Sequence, residues 1–202
     1  MKNLKKTALT VFMLCIGTIG WAQTAKQILD KAAAAVSNPG GITASFNITG
    51  KAFGSSSGTI SVKGRRFHAA TPQAIIWFNG KTQWTYVKSN QEVNVSNPTE
   101  AQLQAMNPYN FINMYKQGFK YTAKTKGSSH EVHLTATDKK RNIQEMYITV
   151  NKATFVPTQV KMRQGTKWNV INISNFKKAN LSDATFQFRA KDYPQAEVID
   201  LR

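Results

Sequence analysis

A serine flanked by glycines is the first feature of this sequence that could support catalysis. Gly54 to Gly58 reads Gly-Ser-Ser-Ser-Gly, which matches the G-x-S-x-G pattern of a nucleophile elbow. That elbow needs a strand before the serine and a helix after it. The residues that follow, Thr59 to Lys63, alternate apolar and polar as a strand does. We therefore predict a hairpin loop of small residues here, without catalytic function.

A histidine pair is the second candidate, because His130-Glu131-Val132-His133 is similar to a zinc motif. The H-E-x-x-H motif places its two histidines on one face of a helix. This pair is three residues apart in a segment with strand periodicity, so the two rings should point to opposite faces. His68 stands alone among Phe67 and alanines. No metal site is predicted.

The acidic residues are few and scattered, with no pair placed for general acid–base work. No glycine-rich phosphate loop or cofactor fingerprint is present in the sequence. We therefore predict a protein that is not an enzyme and uses no cofactor. An exported hydrolase remains an alternative, because a fold can assemble a site from distant residues.

Residues 1–22 have the pattern of a secretory signal peptide. Lys2, Lys5 and Lys6 precede an apolar run from Ala8 to Ile19, and Gly20-Trp21-Ala22 offers small residues at a cleavage site. An uncleaved anchor is the alternative. Cys15, the one cysteine, would be removed with this leader. The expected product is a single periplasmic domain, residues 23–202, held together by an apolar core rather than by disulfides.

The chain is strongly basic, with a formal net charge of +17. Without the leader, 24 basic and 10 acidic residues leave +14. Export argues against nucleic acid as the partner and favours anionic lipid head groups, lipopolysaccharide or an acidic protein. A generic solvated basic surface is the alternative, because the lysines are spread along the chain.

Hydrophobic periodicity predicts one helix followed by a long sheet. Thr24 to Ser37 has helical spacing and ends at Asn38-Pro39. From Ile42 onward the period changes to two, and turn signals separate roughly ten strands. This pattern predicts a single antiparallel sheet that must curl or close to bury one face, and it excludes a parallel α/β fold.

Two short helices are predicted to interrupt the strands. Asn97-Pro98-Thr99-Glu100 carries a start signal for a helix over Thr99 to Ala105, and Asn107-Pro108 carries one for a helix over Tyr109 to Tyr115. Together with the N-terminal helix they could cover the concave side of the sheet.

The densest aromatic cluster is Ile75 to Tyr86, which reads IIWFNGKTQWTY. Asn79-Gly80 is a strong hairpin signal, so the two aromatic runs should be paired neighbours. Trp84 and Tyr86 should share a face, whereas Trp77 and Phe78 must point opposite ways. The residues alone leave open whether this surface is protein core or a cavity for a lipid.

The order of these features resembles the LolA family of lipoprotein carriers. The resemblance rests on the initial helix and hairpin, on Val62-Lys63-Gly64-Arg65-Arg66-Phe67, on Asn79 to Tyr86, on the two-helix insert, and on the ending from Tyr193 to Arg202. It implies a mainly β fold with helices. In that fold an unclosed antiparallel β-barrel of about ten or eleven strands is covered by a lid of short α-helices.

The resemblance implies a monomeric periplasmic chaperone that takes the acyl chains of outer-membrane lipoproteins into an apolar cavity. An inner-membrane ABC-type releaser would supply the cargo, and an outer-membrane acceptor would receive it. The alternatives are a carrier of another amphiphile, such as a glycolipid, and a sensor or scaffold whose apolar residues are all core.

The expected cavity wall is Phe46, Ile60, Val62, Trp77, Trp84, Tyr86 and Met146. The expected lid residues are Leu29, Leu103, Met106, Phe111 and Met114, and Arg65 is the expected lid latch, with Arg66 as the alternative.

Overall fold

The computed structural model describes residues 24–50, 54–99, 102–103 and 114–202. The predicted signal peptide lies outside these ranges, as do Met106, Phe111 and most of the two predicted lid helices.

The N-terminal helix, α1, spans Ala25–Val36. Thr24 caps it through a reciprocal capping box, in which the Gln27 amide donates to the threonine hydroxyl and the Gln27 side chain accepts from the Thr24 amide. Ile28, Leu29 and Ala32 form its buried stripe. The predicted helix is thus confirmed to within one residue at each end.

The rest of the described chain forms one sheet of twelve strands. In chain order these are β1 Ile42–Gly50, β2 Ser56–Lys63, β3 Arg66–Ala70, β4 Ala74–Phe78, β5 Gln83–Val87, β6 Glu92–Ser96, β7 Phe119–Lys126, β8 Ser129–Ala136, β9 Glu145–Asn151, β10 Pro157–Gln164, β11 Lys167–Lys178 and β12 Glu197–Asp200.

The strand order is β12-β6-β5-β4-β3-β2-β1-β11-β10-β9-β8-β7, so the sheet does not close on itself. The mainly β, unclosed architecture predicted from the sequence is confirmed, with twelve strands rather than ten or eleven. Every pairing is antiparallel except that of β12, which runs parallel to β6. The prediction of a purely antiparallel sheet is wrong at that strand, because the chain returns along the outside of the sheet before β12 begins.

Directly opposed residues in an antiparallel sheet point to the same face, so the pairing register assigns each side chain to a side. We call the side that packs against α1 the inner face and the opposite side the outer face. The inner face and α1 enclose the main apolar core, in which Val132, Leu134 and Met146 have no exposed surface. The side chains of α1 therefore act as a partial cover over the sheet.

The outer face has a cover of its own over β3 to β6. The chain segment 183–193, which we call the strap, crosses this region and contains two short 3-10 turns, Asp183–Phe186 and Ala190–Asp192. Phe186 of the strap is fully buried. The carboxylate of Asp183 lies 2.6 Å from Nη1 of Arg66 and 3.7 Å from Nζ of Lys63, which fixes the start of the strap to β2 and β3.

Strand β7 forms one edge of the sheet and is paired only with β8 among the described strands. Lys120, Lys124 and Lys126 are exposed along it. Charged side chains of this kind are typical of edge strands.

Candidate functional site: an apolar inner face beneath a helical cover

The inner face carries the main apolar core cluster of the described chain. Strand pairing places Ile42 opposite Val62, Val62 opposite Phe67, and Phe67 opposite Phe78. Each of these side chains is at least nine-tenths buried. The row continues across the sheet through β11, β10 and β9 to β8, where aliphatic and methionine side chains replace the aromatic ones.

Four residues of the predicted cavity wall lie on this face: Phe46, Ile60, Val62 and Met146. All four belong to the main core beneath α1. Phe46 is paired with Ile173 of β11, and Met146 is paired with Met162 of β10. The two methionines are fully buried, and the flexible thioether side chain adapts easily to partners of different shape.

Three predicted lid residues, Leu29, Leu103 and Met114, pack against the same core. Leu29 is fully buried on α1 and Leu103 is 6% exposed. Thr99 rather than Asn97 makes capping contacts with the segment that contains Leu103. The Thr99 hydroxyl accepts from the Gln102 amide, and the Gln102 side chain accepts from the Thr99 amide at 2.8 Å.

One buried hydrogen bond connects the two parts of this cover. The Tyr115 hydroxyl donates to Oδ1 of Asp30 on α1 at 2.5 Å, and the Tyr115 side chain is 3% exposed. Lys26 donates to the other oxygen of Asp30. The bonds from Lys26 and then Tyr115 hold the pKa of Asp30 below its ordinary value, so the acceptor stays ionised.

The predicted cavity-wall residues Trp77, Trp84 and Tyr86 do not share a face with the other four. Trp77 is opposite Trp84 on the neighbouring strand, and both point to the outer face with His68 and Val95. Tyr86 is opposite Ile75 on that same face. The predicted hairpin itself is confirmed, because the two aromatic runs are paired neighbours.

The strap covers these outer-face aromatics. The Trp77 ring centroid lies 5.5 Å from those of Phe188 and Tyr193, and the Tyr86 centroid lies 4.7 Å from that of Tyr193. Trp77 is only 7% exposed as a result. The sequence did not reveal this cover, because Phe188 and Tyr193 lie in a segment without helical or strand periodicity.

Phe78 takes the inner-face position that we had expected for Trp77. It is 2% exposed, and its ring centroid lies 5.4 Å from that of Phe67. The sequence restricted the choice to one of two neighbours, and the pairing of β4 with β3 decides it. Phe67 was not among the predicted residues, although it alternates correctly with Arg66 and His68.

The expected lid latch, Arg65, stays a prediction. It is exposed in the turn between β2 and β3. The alternative, Arg66, extends toward the outer face, where it binds Asp183 and stacks over the Phe186 ring at 5.5 Å. Arg66 therefore holds the strap and is not placed to hold the lid.

The serine-containing segment has a packing explanation. Ser56 to Gly58 already belongs to β2, so only Gly54 and Ser55 of the predicted loop segment precede that strand. Gly58 is opposite Phe46, and a Cβ there would lie 2.1 Å from the carbonyl oxygen of Ala70 and 3.1 Å from the Phe46 ring. The glycine thus lets β3 and an inner-face aromatic ring approach β2 closely.

The two histidines of the zinc-like motif point to opposite faces, as predicted. His130 stacks on Phe155 with a centroid separation of 5.8 Å, whereas His133 stacks on Tyr147 and binds Glu145 at 2.9 Å on the outer face. In the described ranges no group of three or more His, Cys, Asp or Glu side chains could hold a metal ion.

Two histidines, the half-buried His68 and the buried His130, should make the protein less stable in mild acid. Burial, followed by the charges of Lys152 and Lys31, holds the pKa of His130 below its ordinary value, and burial lowers the pKa of His68. Below pH about 6.5 the unfolded chain then binds more protons than the folded chain. The free energy of unfolding, measured by urea denaturation, should therefore decrease between pH about 7.5 and about 5.5.

The control for this pH dependence is the double variant His68→Phe, His130→Phe, in which the dependence should flatten over the same range. Carboxylates titrate at lower pH, so they contribute little in that window. An unchanged slope in the double variant would show that other groups cause the effect.

The fold is one open-ended sheet whose apolar inner face packs against α1. A family model described as outer membrane lipoprotein carrier protein LolA matches residues 18–166. The chain belongs to this family. None of the helices in the described part of the chain is long and apolar enough to cross a membrane.

Solved structures share the fold at low sequence identity. An uncharacterized conserved protein from Thermus thermophilus is 14% identical with a TM-score of 0.59, and the match covers 87% of this chain and 98% of that one. A LolA superfamily protein from Nitrosomonas europaea is also 14% identical, with a TM-score of 0.45 and coverage of 83% and 99%. No curated protein matches the sequence.

Proposed function

We propose that this protein is a periplasmic chaperone that carries lipoproteins between membranes by burying their acyl chains between the inner face and its helical cover. The observation that supports this most strongly is the composition of that interface. The inner face is lined mainly by buried apolar and aromatic side chains, and its buried polar residues are Gln83, His130 and Asn169. The family model that matches the chain is named for the same activity.

A carrier of this kind is needed because an acyl chain is insoluble. Each exposed CH₂ group costs about 0.8 kcal/mol in water, so a lipoprotein with two or three chains cannot cross an aqueous compartment unaided. The inner face offers the chains an equivalent apolar surface. We expect an inner-membrane ABC-type releaser to supply the cargo and an outer-membrane acceptor to receive it.

The inner face is covered in this structure, so binding and release of cargo would both require the cover to open. Leu29, Val132 and Met146 have no exposed surface, so acyl chains can enter only if the cover moves away from the sheet. Opening opposes binding and thereby lowers the net affinity. A carrier must release its cargo, and a cover that favours the closed state would help it do so.

The direct test compares an acylated lipoprotein with its unacylated form, each mixed with the protein lacking residues 1–22. Only the acylated form should bind. Equal binding of the two forms, or binding of neither, would contradict the carrier function. Preference for a glycolipid over the acylated lipoprotein would instead indicate a carrier of another amphiphile.

Two neighbouring residues of β7 give a matched pair of variants for the same assay. Ala123 is half-buried against the core, whereas Thr122 is exposed and points the other way. Ala123→Glu should weaken binding of the acylated lipoprotein by roughly tenfold or more, because a carboxylate is costly beside an acyl chain. Thr122→Glu adds the same charge to the same strand and should leave binding unchanged.

A further inference from the structure

A small cavity of about 320 Å³ lies at the rim of the inner face. It is formed where β5 begins and β6 ends, next to the start of the helix that contains Leu103. The final residues of the chain pass beside it, with the Leu201 amide donating to the carbonyl of Val95 at 2.8 Å. The lining residues are Gln83, Ser96, Asn97, Pro98, Gln102, Leu201 and Arg202.

The side chain of Gln83 is the most informative group in this cavity. Gln83 is 6% exposed, and its Oε1 atom has no hydrogen-bond partner among the described residues. Its Nε2 atom donates to the hydroxyl of Thr85 at 3.0 Å. A buried carbonyl without a donor is unfavourable, and such groups in native proteins call for an explanation.

Hydrogen-bond donors face the same cavity. Gln102 accepts from the amide and the hydroxyl of Thr99 with its Oε1 atom, so Nε2 is the atom left to donate. Arg202 binds Asp200 through Nε and Nη2, and a guanidinium has five N–H groups. The cavity thus combines a buried acceptor with donors, which is the complement of an amide group.

The location of the cavity connects it to the acyl chains of the proposed cargo. Gln83 is opposite Phe78, so it belongs to the inner-face row that contains Phe67 and Val62. A ligand whose acyl chains lie on that row would have its head group near the rim. In a diacylated lipoprotein the acyl chains are joined through glycerol esters and a thioether to the N-terminal cysteine, so the first backbone amides lie a few bonds from the chains.

We propose that this cavity binds the backbone amides at the lipid-bearing end of the cargo peptide. The amide N–H would donate to Oε1 of Gln83, and the neighbouring carbonyl would accept from Gln102 or Arg202. This inference rests on the proposed carrier function. An anionic phosphate head group fits less well, because the oxygen of Gln83 would repel it.

The test uses two ligands with identical acyl chains, a synthetic diacylated lipopeptide and the corresponding diacylglycerol. The wild-type protein should bind the lipopeptide roughly three- to tenfold more tightly, as expected for one well-formed hydrogen bond. Gln83→Met keeps the length of the side chain and removes the acceptor, so this preference should disappear. Gln159→Met on β10 removes a glutamine far from the cavity in strand order and should keep the preference.

Ser96→Leu gives an independent test, since Ser96 is the residue opposite Gln83 and a larger side chain there would fill the cavity. It should lower lipopeptide affinity and leave diacylglycerol affinity unchanged. If the wild type binds both ligands equally, or if both variants keep the preference, the amide site is wrong while the carrier function stands. If the wild type binds neither ligand, the carrier function itself is wrong.

Discussion

Replacing Trp77 by alanine should lower the free energy of unfolding by about 3–5 kcal/mol, the usual loss for a large buried aromatic side chain. Trp77 is 7% exposed and lies between His68 of β3 and the strap residues Phe188 and Tyr193. Its removal would leave a cavity in the outer-face layer. Urea denaturation measures this loss directly.

The same variant should retain its affinity for acylated lipoprotein under conditions where it is folded. Trp77 points away from α1 and the inner face, so it cannot line a site between them. Trp84→Ala is the matched control, because Trp84 is the cross-strand partner of Trp77 and is only half-buried. Its free energy of unfolding should therefore fall by less than that of Trp77→Ala. A Trp77→Ala protein of normal stability that no longer binds lipoprotein would show that the binding site is on the outer face.

Removing one hydroxyl group from the cover should strengthen cargo binding. The Tyr115 hydroxyl bonds to Asp30 and ties the last residue of the second predicted lid helix to α1. A hydrogen bond to a charged carboxylate is stronger than one between neutral groups. If this bond exists only in the covered state, Tyr115→Phe destabilises that state and raises apparent affinity for acylated lipoprotein by roughly tenfold or more.

The expected change is mainly in the rate of release, which should become slower because the cover closes less readily. Dissociation of a fluorescent acylated lipoprotein would measure it. Tyr121→Phe is the control, because Tyr121 contacts the Tyr115 ring at 6.4 Å but does not bond to Asp30. Unchanged or weaker binding by Tyr115→Phe would show that the hydroxyl does not hold the cover closed.

Local signals in the sequence were sufficient for the elements. The helix from Thr24 to Ser37 carries its capping residue, its apolar stripe and its stop signal within one segment, and the structure has α1 at Ala25–Val36. Asn79-Gly80 likewise predicted the hairpin of β4 and β5. In both cases the determining interactions are between residues close in sequence.

The site was harder to predict because it depends on which face of each strand is covered, and by what. Alternation showed that Trp84 and Tyr86 share a face, but it does not reveal which face meets α1. That assignment follows from the register of β3 and β4 and from the strap, whose aromatic side chains are about a hundred residues further along the chain. Large aromatic residues were a misleading guide, since the strap buries them as effectively as a ligand would.

The exposed lysines on β7 have a consequence for the behaviour of the protein at high concentration. An unpaired edge strand can accept a strand from a second molecule, and repeated addition of this kind produces fibres. Two copies of β7 brought together would place Lys120, Lys124 and Lys126 against the same three positive charges. This electrostatic repulsion should keep the sheet from growing beyond one chain and the protein dispersed at high concentration.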